Sequence, residues 1–382
     1  MEKVLEIFES CKQKADETFN ADLWSEQNIL QYAKRAELEQ ENIQFLTDFI
    51  QFADENVKRF MWQYYYMMFL SDANFWDDIW QLERIPLPEQ AEAKFPGAIR
   101  ACVYLVAADH LRNWAKNTEF DPEELVTSYY KRYKNAVYRN KYSHNTYGLC
   151  RLSSFSYAYA YPHILPVGLF TFQRRPHDKF CEVYENKKGE RLFVAVPFYK
   201  YNEKGFHAEE GYTPVYEING DILTANTFET EKGALNLTPE NIDLKEYTKI
   251  LSPGEPILTI HIPGEKPLDK EEVIKSIQDA KRLCAKYFPP YKAVVCTTWF
   301  IDPNLRGEVI KEGSNMAFFA DLFDKVCGRD NKNASIFEHV FETTEQPLEN
   351  LVPKNNFQQR LVDRALRGEK IHWTFGILKN NI

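Results

Sequence analysis

The chain has 382 residues, a formal net charge of −9, and 44% hydrophobic and 15% aromatic residues. That composition argues against disorder and predicts large packed cores, which at this length means two domains. The mild acidic balance argues against a dedicated nucleic-acid binder, so no specific nucleic-acid partner is expected.

The first residues, MEKVLEIFESCKQ, place charges inside the apolar pattern. They read as a helix rather than a signal peptide. Phe45, Leu46, Phe49, Ile50 and Ala53 recur at helical spacing. Residues 60–70 are apolar nearly all round and predict a central buried helix. This longest apolar run is about half of what spans a bilayer, so no membrane contact is expected. A further buried helix is expected over 98–114, and another from Asp121, with Pro122 at its first position. Residues 1–145 are therefore expected to form an all-α domain.

The character changes after Tyr147-Gly148. Strand-like runs at 168–173, 191–197 and 222–226 are separated by turn clusters, among them an Asn219-Gly220 hairpin signal. Residues 256–305 read as strand, turn, helix, strand. Asp269 stands ready to cap that helix, with Glu272 three residues on. Later come a helical pattern near 315–326, a strand at 335–341, a helix near 357–366 and a final strand at 373–378. Residues 146–382 are thus expected to be α+β with a mixed sheet.

Seven cysteines, at 11, 102, 150, 181, 284, 296 and 327, form no C-x-x-C pair, which suits free thiols in the cytoplasm. No pair among the eight histidines has ligand spacing, so no metal is expected; a metal site would need distant segments. Phosphate-loop, dinucleotide, nucleophile-elbow and zinc-helix motifs are all absent from the sequence. The segment KRYKNAVYRNK (131–141) interleaves five basic residues with tyrosines. It reads as a tyrosine face packed inward beneath a solvated basic face, or as a phosphate or base contact.

Three segments carry a family resemblance: SPGEPILTIHIP (252–263), TWFIDPNL (298–305) and SNMAFF (314–319). GLCRL (148–152) and VGLFTFQ (167–173) add to it. Together they resemble bacterial acyltransferase-domain proteins. Those have a helical N-terminal domain and a C-terminal domain similar to the GCN5-related N-acetyltransferase (GNAT) fold. The resemblance implies α+β architecture, an all-α bundle followed by a GNAT-like mixed sheet with flanking helices. It implies N-acyl transfer from an acyl-CoA or acetyl-CoA donor to a small-molecule or peptide amine. It also implies that the strand at 257–262 splays from its neighbour, so that backbone amides around Ile260 and Ile262 meet the thioester, with Gly264 and Lys266 in the cofactor turn.

His261 ends that strand and reads either as a general base or as a half-buried histidine ordering the Pro263 turn. Asp302 reads as a cap before Pro303 or as the group that binds the acceptor ammonium, with Trp299 walling the cleft. Ser314 and Asn315 read as a helix start or as polar contacts in the cleft. The turn at 263–268 holds one glycine and is followed by Asp269, Glu271 and Glu272. Those carboxylates favour the helix dipole but repel a phosphate. They favour an alternative expectation, a non-catalytic protein that binds a small ligand or peptide in the inter-domain cleft.

Overall fold

The computed structural model describes residues 2–72, 82, 84–149, 159–161, 163–177, 181–263, 267–331, 340–341 and 347–380. The chain divides into two compact units, Met1–Pro166 and Val167–Ile382.

The first unit is helical. Glu55–Tyr65 is an α-helix that continues into a π-helical turn, Tyr66–Leu70. The region expected as one helix near 98–114 is two, Ala98–Val106 and Ala108–Ala115, separated at Ala107. Every residue of Ala98–Val106 is buried. Pro122–His144 packs Tyr129, Tyr130 and Tyr133 inward, with the Tyr133 hydroxyl donating to the Ala101 carbonyl at 2.9 Å. The tyrosine face of the basic segment is therefore core, while Tyr138 is half exposed. Asp121 accepts from the Glu123 and Glu124 amides at 2.8 and 2.9 Å. Such a cap stabilises by about 1 kcal/mol. Gly148 allows a close backbone crossing: a Cβ there would lie 2.1 Å from the Pro96 carbonyl oxygen. Among the described residues no helix is long and apolar enough to cross a membrane.

The second unit is built on a mixed sheet. Its strands run in the order Ile164–Val167, Phe170–Pro176, Pro256–His261, Val294–Thr298, Ile371–Leu378, Phe323–Asn331. The first of these spans the point in the chain where the units divide. The strand–helix–strand segment forms as expected. Pro256–His261 and Val294–Thr298 are parallel, joined through the helix Lys270–Tyr287. That helix buries Val273, Ile277, Ala280 and Cys284 at helical spacing. Smaller antiparallel sheets lie between residues 181 and 251. In one, Tyr216–Asn219 and Ile222–Ala225 are joined by the two-residue loop Gly220-Asp221, with Gly220 at φ +61°.

Two further expectations need correction. The helix starting at Asn315 ends at Asp321, and Phe323–Asn331 is a strand. Phe318, Phe319, Leu322 and Val326 carry helical spacing, but pairing along Ile371–Leu378 captures the segment after Leu322. Of the strand expected at 335–341, residues 335–339 lie outside the described residues, while Val340 and Phe341 are helical.

Candidate active site

The register of the central sheet brings polar side chains together. Ile257 pairs with Arg175, Thr259 with Gln173 and His261 with Thr171. On the other side Thr259 pairs with Val295. Residues opposite one another share a face, and so do residues two apart. Thr171, Gln173, Arg175, Thr259, His261 and Thr297 therefore lie on one face. Its other end is apolar, with Ile257, Val295, Phe375 and Ile377 in a buried cluster. A polar half of a buried sheet face is costly unless its groups are bonded. They are: His261 Nε2 lies 2.9 Å from Gln173 Oε1, and Arg175 Nε donates to Thr259 Oγ1 at 2.9 Å. Arg175 also reaches Thr297 Oγ1 at 3.5 Å. Thr171, Gln173 and Thr259 are buried, whereas His261 is only partly so.

The ladder stops beside this patch. The parallel pairing runs Leu258–Val294, Thr259–Val295, Ile260–Cys296 and ends there. Thr297 and Thr298 instead continue on the far side, paired with Phe375 and Thr374. Amides of alternate residues point to the same neighbour, so those of Leu258, Ile260 and Ile262 face Val294–Thr298. Leu258 donates to the Ala293 carbonyl at 2.9 Å, Ile260 is inside the ladder, and Ile262 lies past its last pair. Gly264 and Lys266 lie outside the described residues. The helix start that follows is occupied by its own cap. Asp269 accepts from the Glu271 and Glu272 amides at 3.0 and 3.2 Å.

Asp302 belongs to a separate, buried cluster. It caps the 3-10 turn Pro303–Leu305, accepting the Asn304 amide at 2.9 Å. It also accepts from the His372 backbone amide at 2.8 Å and lies 3.1 Å from His372 Nδ1. Cys327 Sγ stands 3.6 Å from Asp302 Oδ1. Burial pushes the Asp302 carboxyl up, but the hydrogen bond and charge of His372 and the Asn304 donors outweigh it and hold it below the usual range. Burial, then the Asp302 charge, push the Cys327 thiol well up. The thiol thus faces the carboxylate, and this wiring does not make a nucleophile.

Trp299 is buried in an apolar cluster with Leu305, Leu361 and Ile371, its ring stacked on Phe357 at 6.3 Å. Ser314 caps the helix Asn315–Asp321, accepting from the Ala317 amide at 3.2 Å, and Asn315 is exposed. The structure thus places Ile260 in the last pair of the parallel ladder, with His261 and Ile262 just beyond it, and gives Asp302 different partners. Sequence reasoning missed Gln173, Arg175, Cys327 and His372. The alternation Phe170, Phe172 against Thr171, Gln173, Arg175 carries a signal for the first two.

No curated protein matches the chain. Several solved structures resemble it. A mutant acyltransferase in complex with octanoyl-CoA is 15% identical with a TM-score of 0.53, over 91% of this chain and 86% of that one. An acyltransferase in complex with decanoyl-CoA and teicoplanin is 15% identical with a TM-score of 0.52, over 92% and 88%. An acyltransferase with decanoyl-CoA is 14% identical with a TM-score of 0.53, over 92% and 88%. At that identity the likeness is one of fold. The family model for a GNAT-like C-terminal domain matches residues 184–378. With half of its length matched, and with the strand–helix–strand sheet inside that span, the chain belongs to the GNAT-like C-terminal domain family.

Proposed function

We propose that this protein is an acyl-CoA-dependent N-acyltransferase that acts on the amine of a small molecule or peptide. The observation that carries the reading is the end of the parallel ladder at Ile260–Cys296, directly before His261. A thioester laid along the opened strand meets the Ile262 amide as a hydrogen-bond donor for the oxyanion. His261, partly exposed and held by Gln173, takes the proton from the attacking amine. The amine nitrogen bonds to the acyl carbon, the C–S bond breaks, and the CoA thiolate leaves. Asp302 is enclosed by His372 and Asn304, which suits it to tie the end of one strand to the next rather than to hold an acceptor. The resemblance of the fold to acyltransferases crystallised with octanoyl- and decanoyl-CoA supports the donor class. A further structure of this fold holds teicoplanin beside decanoyl-CoA, which supports room for a second molecule next to the donor.

The Asp269 cap favours a second reading, a protein that binds a ligand without catalysis, because the amides that would meet a pyrophosphate are already taken. A thermal-shift panel of acyl-CoA esters followed by a free-thiol assay with amines separates the two. Stabilisation with amine-dependent thiol release supports the transferase. Binding without release supports the second reading, and no response to any thioester contradicts both as applied to CoA.

A further inference from the structure

Asp302, Cys327 and His372 come from segments far apart in the chain, so local spacing did not reveal them. One carboxylate oxygen, the thiol sulfur and an imidazole nitrogen converge until all lie within 4.8 Å of one another, every one of them buried. His372 Nδ1 lies 3.1 Å from Asp302 Oδ2, and Cys327 Sγ lies 3.6 Å from Asp302 Oδ1. Zinc–ligand bonds of about 2.0–2.3 Å in a tetrahedron place ligand atoms about 3.3–3.7 Å apart. These two approaches, one to each carboxylate oxygen, fall close to that range, and closing on an ion requires the three ligand atoms to draw in from within 4.8 Å of one another.

A second, independent feature is the backbone that approaches it. The Lys232 carbonyl stands 3.9 Å from Cys327 Sγ and offers a fourth donor. It comes this close because Gly233 has φ +70° and no side chain; a Cβ there would lie 2.4 Å from Cys327 Sγ. The ligand-bearing segments are also braced. The Cys327 amide donates to the Gly233 carbonyl at 2.8 Å, and Cys327 is paired with Thr374, whose hydroxyl lies 3.7 Å from its sulfur. Asn304 Nδ2 holds Asp302 Oδ1 at 2.8 Å, and the Phe206 ring stacks on His372 at 4.5 Å. Such outer contacts orient ligands around a metal.

We propose that Asp302, Cys327 and His372, with the Lys232 carbonyl, bind a thiophilic divalent cation of the zinc class as a structural site. On binding, the Cys327 thiol proton leaves to solvent and the sulfur coordinates as thiolate. His372 coordinates through Nδ1 and carries its proton on Nε2. The softness of one sulfur ligand beside nitrogen and oxygen selects against magnesium and calcium. The site is closed by protein donors, so it acts on stability and takes no part in acyl transfer.

The test is titration of the chelator-treated full chain with Co2+. The expected result is one Co2+ per chain with a near-ultraviolet thiolate-to-cobalt charge-transfer band, and a higher melting temperature with Zn2+. Cys327→Ser, similar in volume, loses the band, and His372→Asn weakens Co2+ binding by more than about tenfold. A wild-type chain that shows no thiolate band overturns the proposal, even if a variant fails to fold. So does a band or a Zn2+-induced shift that persists in Cys327→Ser. None of these readings depends on acyltransferase activity.

Discussion

His261 has a partner that its sequence neighbourhood does not show. Gln173, itself buried, lies 88 residues earlier and sets the imidazole orientation through a 2.9 Å bond. If His261 is the base, His261→Ala lowers kcat by about a hundredfold or more while the circular dichroism spectrum stays unchanged. Equal turnover, or a collapsed spectrum, removes the role. Gln173→Glu places a carboxylate beside the ring, which favours imidazolium, so the acid limb of kcat/KM moves up by about one pH unit. An unmoved limb means that His261 does not titrate in catalysis. Asp302 makes the opposite kind of prediction. Asp302→Ala strips a buried hydrogen-bonding centre and is expected to cost about 3 kcal/mol in denaturant unfolding of the second unit. A loss below about 1 kcal/mol contradicts its role as the anchor of His372.

At the scale of elements, the strand–helix–strand segment was readable because its signals are local. Apolar runs, the Asp269 cap and the helical face of Val273, Ile277, Ala280 and Cys284 all lie within a few turns of each other. The same holds for the Ser314 cap and the Gly220 hairpin. What escaped depended on pairing. Phe323–Asn331 carries helical spacing into its first residues, yet it is held as a strand by Ile371–Leu378, a segment that no local pattern links to it. Asp302 meets Cys327 and His372 across 25 and 70 residues, a juxtaposition made by the sheet alone. Asp269 offers an element-level test. Asp269→Ala removes the cap and is expected to destabilise by about 1 kcal/mol. It also frees two amides and removes a carboxylate, so CoA measured by calorimetry is expected to bind at least as tightly. Weaker CoA binding in that variant places Asp269 itself in the donor site.

At the scale of the whole molecule, acid stability follows from groups buried in one protonation state. Burial lowers His110 from its ordinary value to about 4, beside the Phe69 and Tyr161 rings. The folded state then binds fewer protons than the unfolded state between pH 6.5 and about 4, so stability falls as pH drops through that window and levels off below it. From pH 7 to pH 5 the loss through His110 alone is about 2 kcal/mol. His110→Gln, which does not titrate, is expected to remove that part of the slope in urea melts of the first unit. An identical slope in wild type and variant contradicts it.

The central claim is transfer of an acyl group at the opened strand. The direct measurement is free-thiol release from an octanoyl- or decanoyl-CoA donor, with and without a panel of amines, compared between wild type and His261→Ala. The account predicts amine-dependent release by the wild type and a drop of about a hundredfold in the variant. Thioesters that bind and stabilise the chain, with no thiol released by any amine, would contradict it.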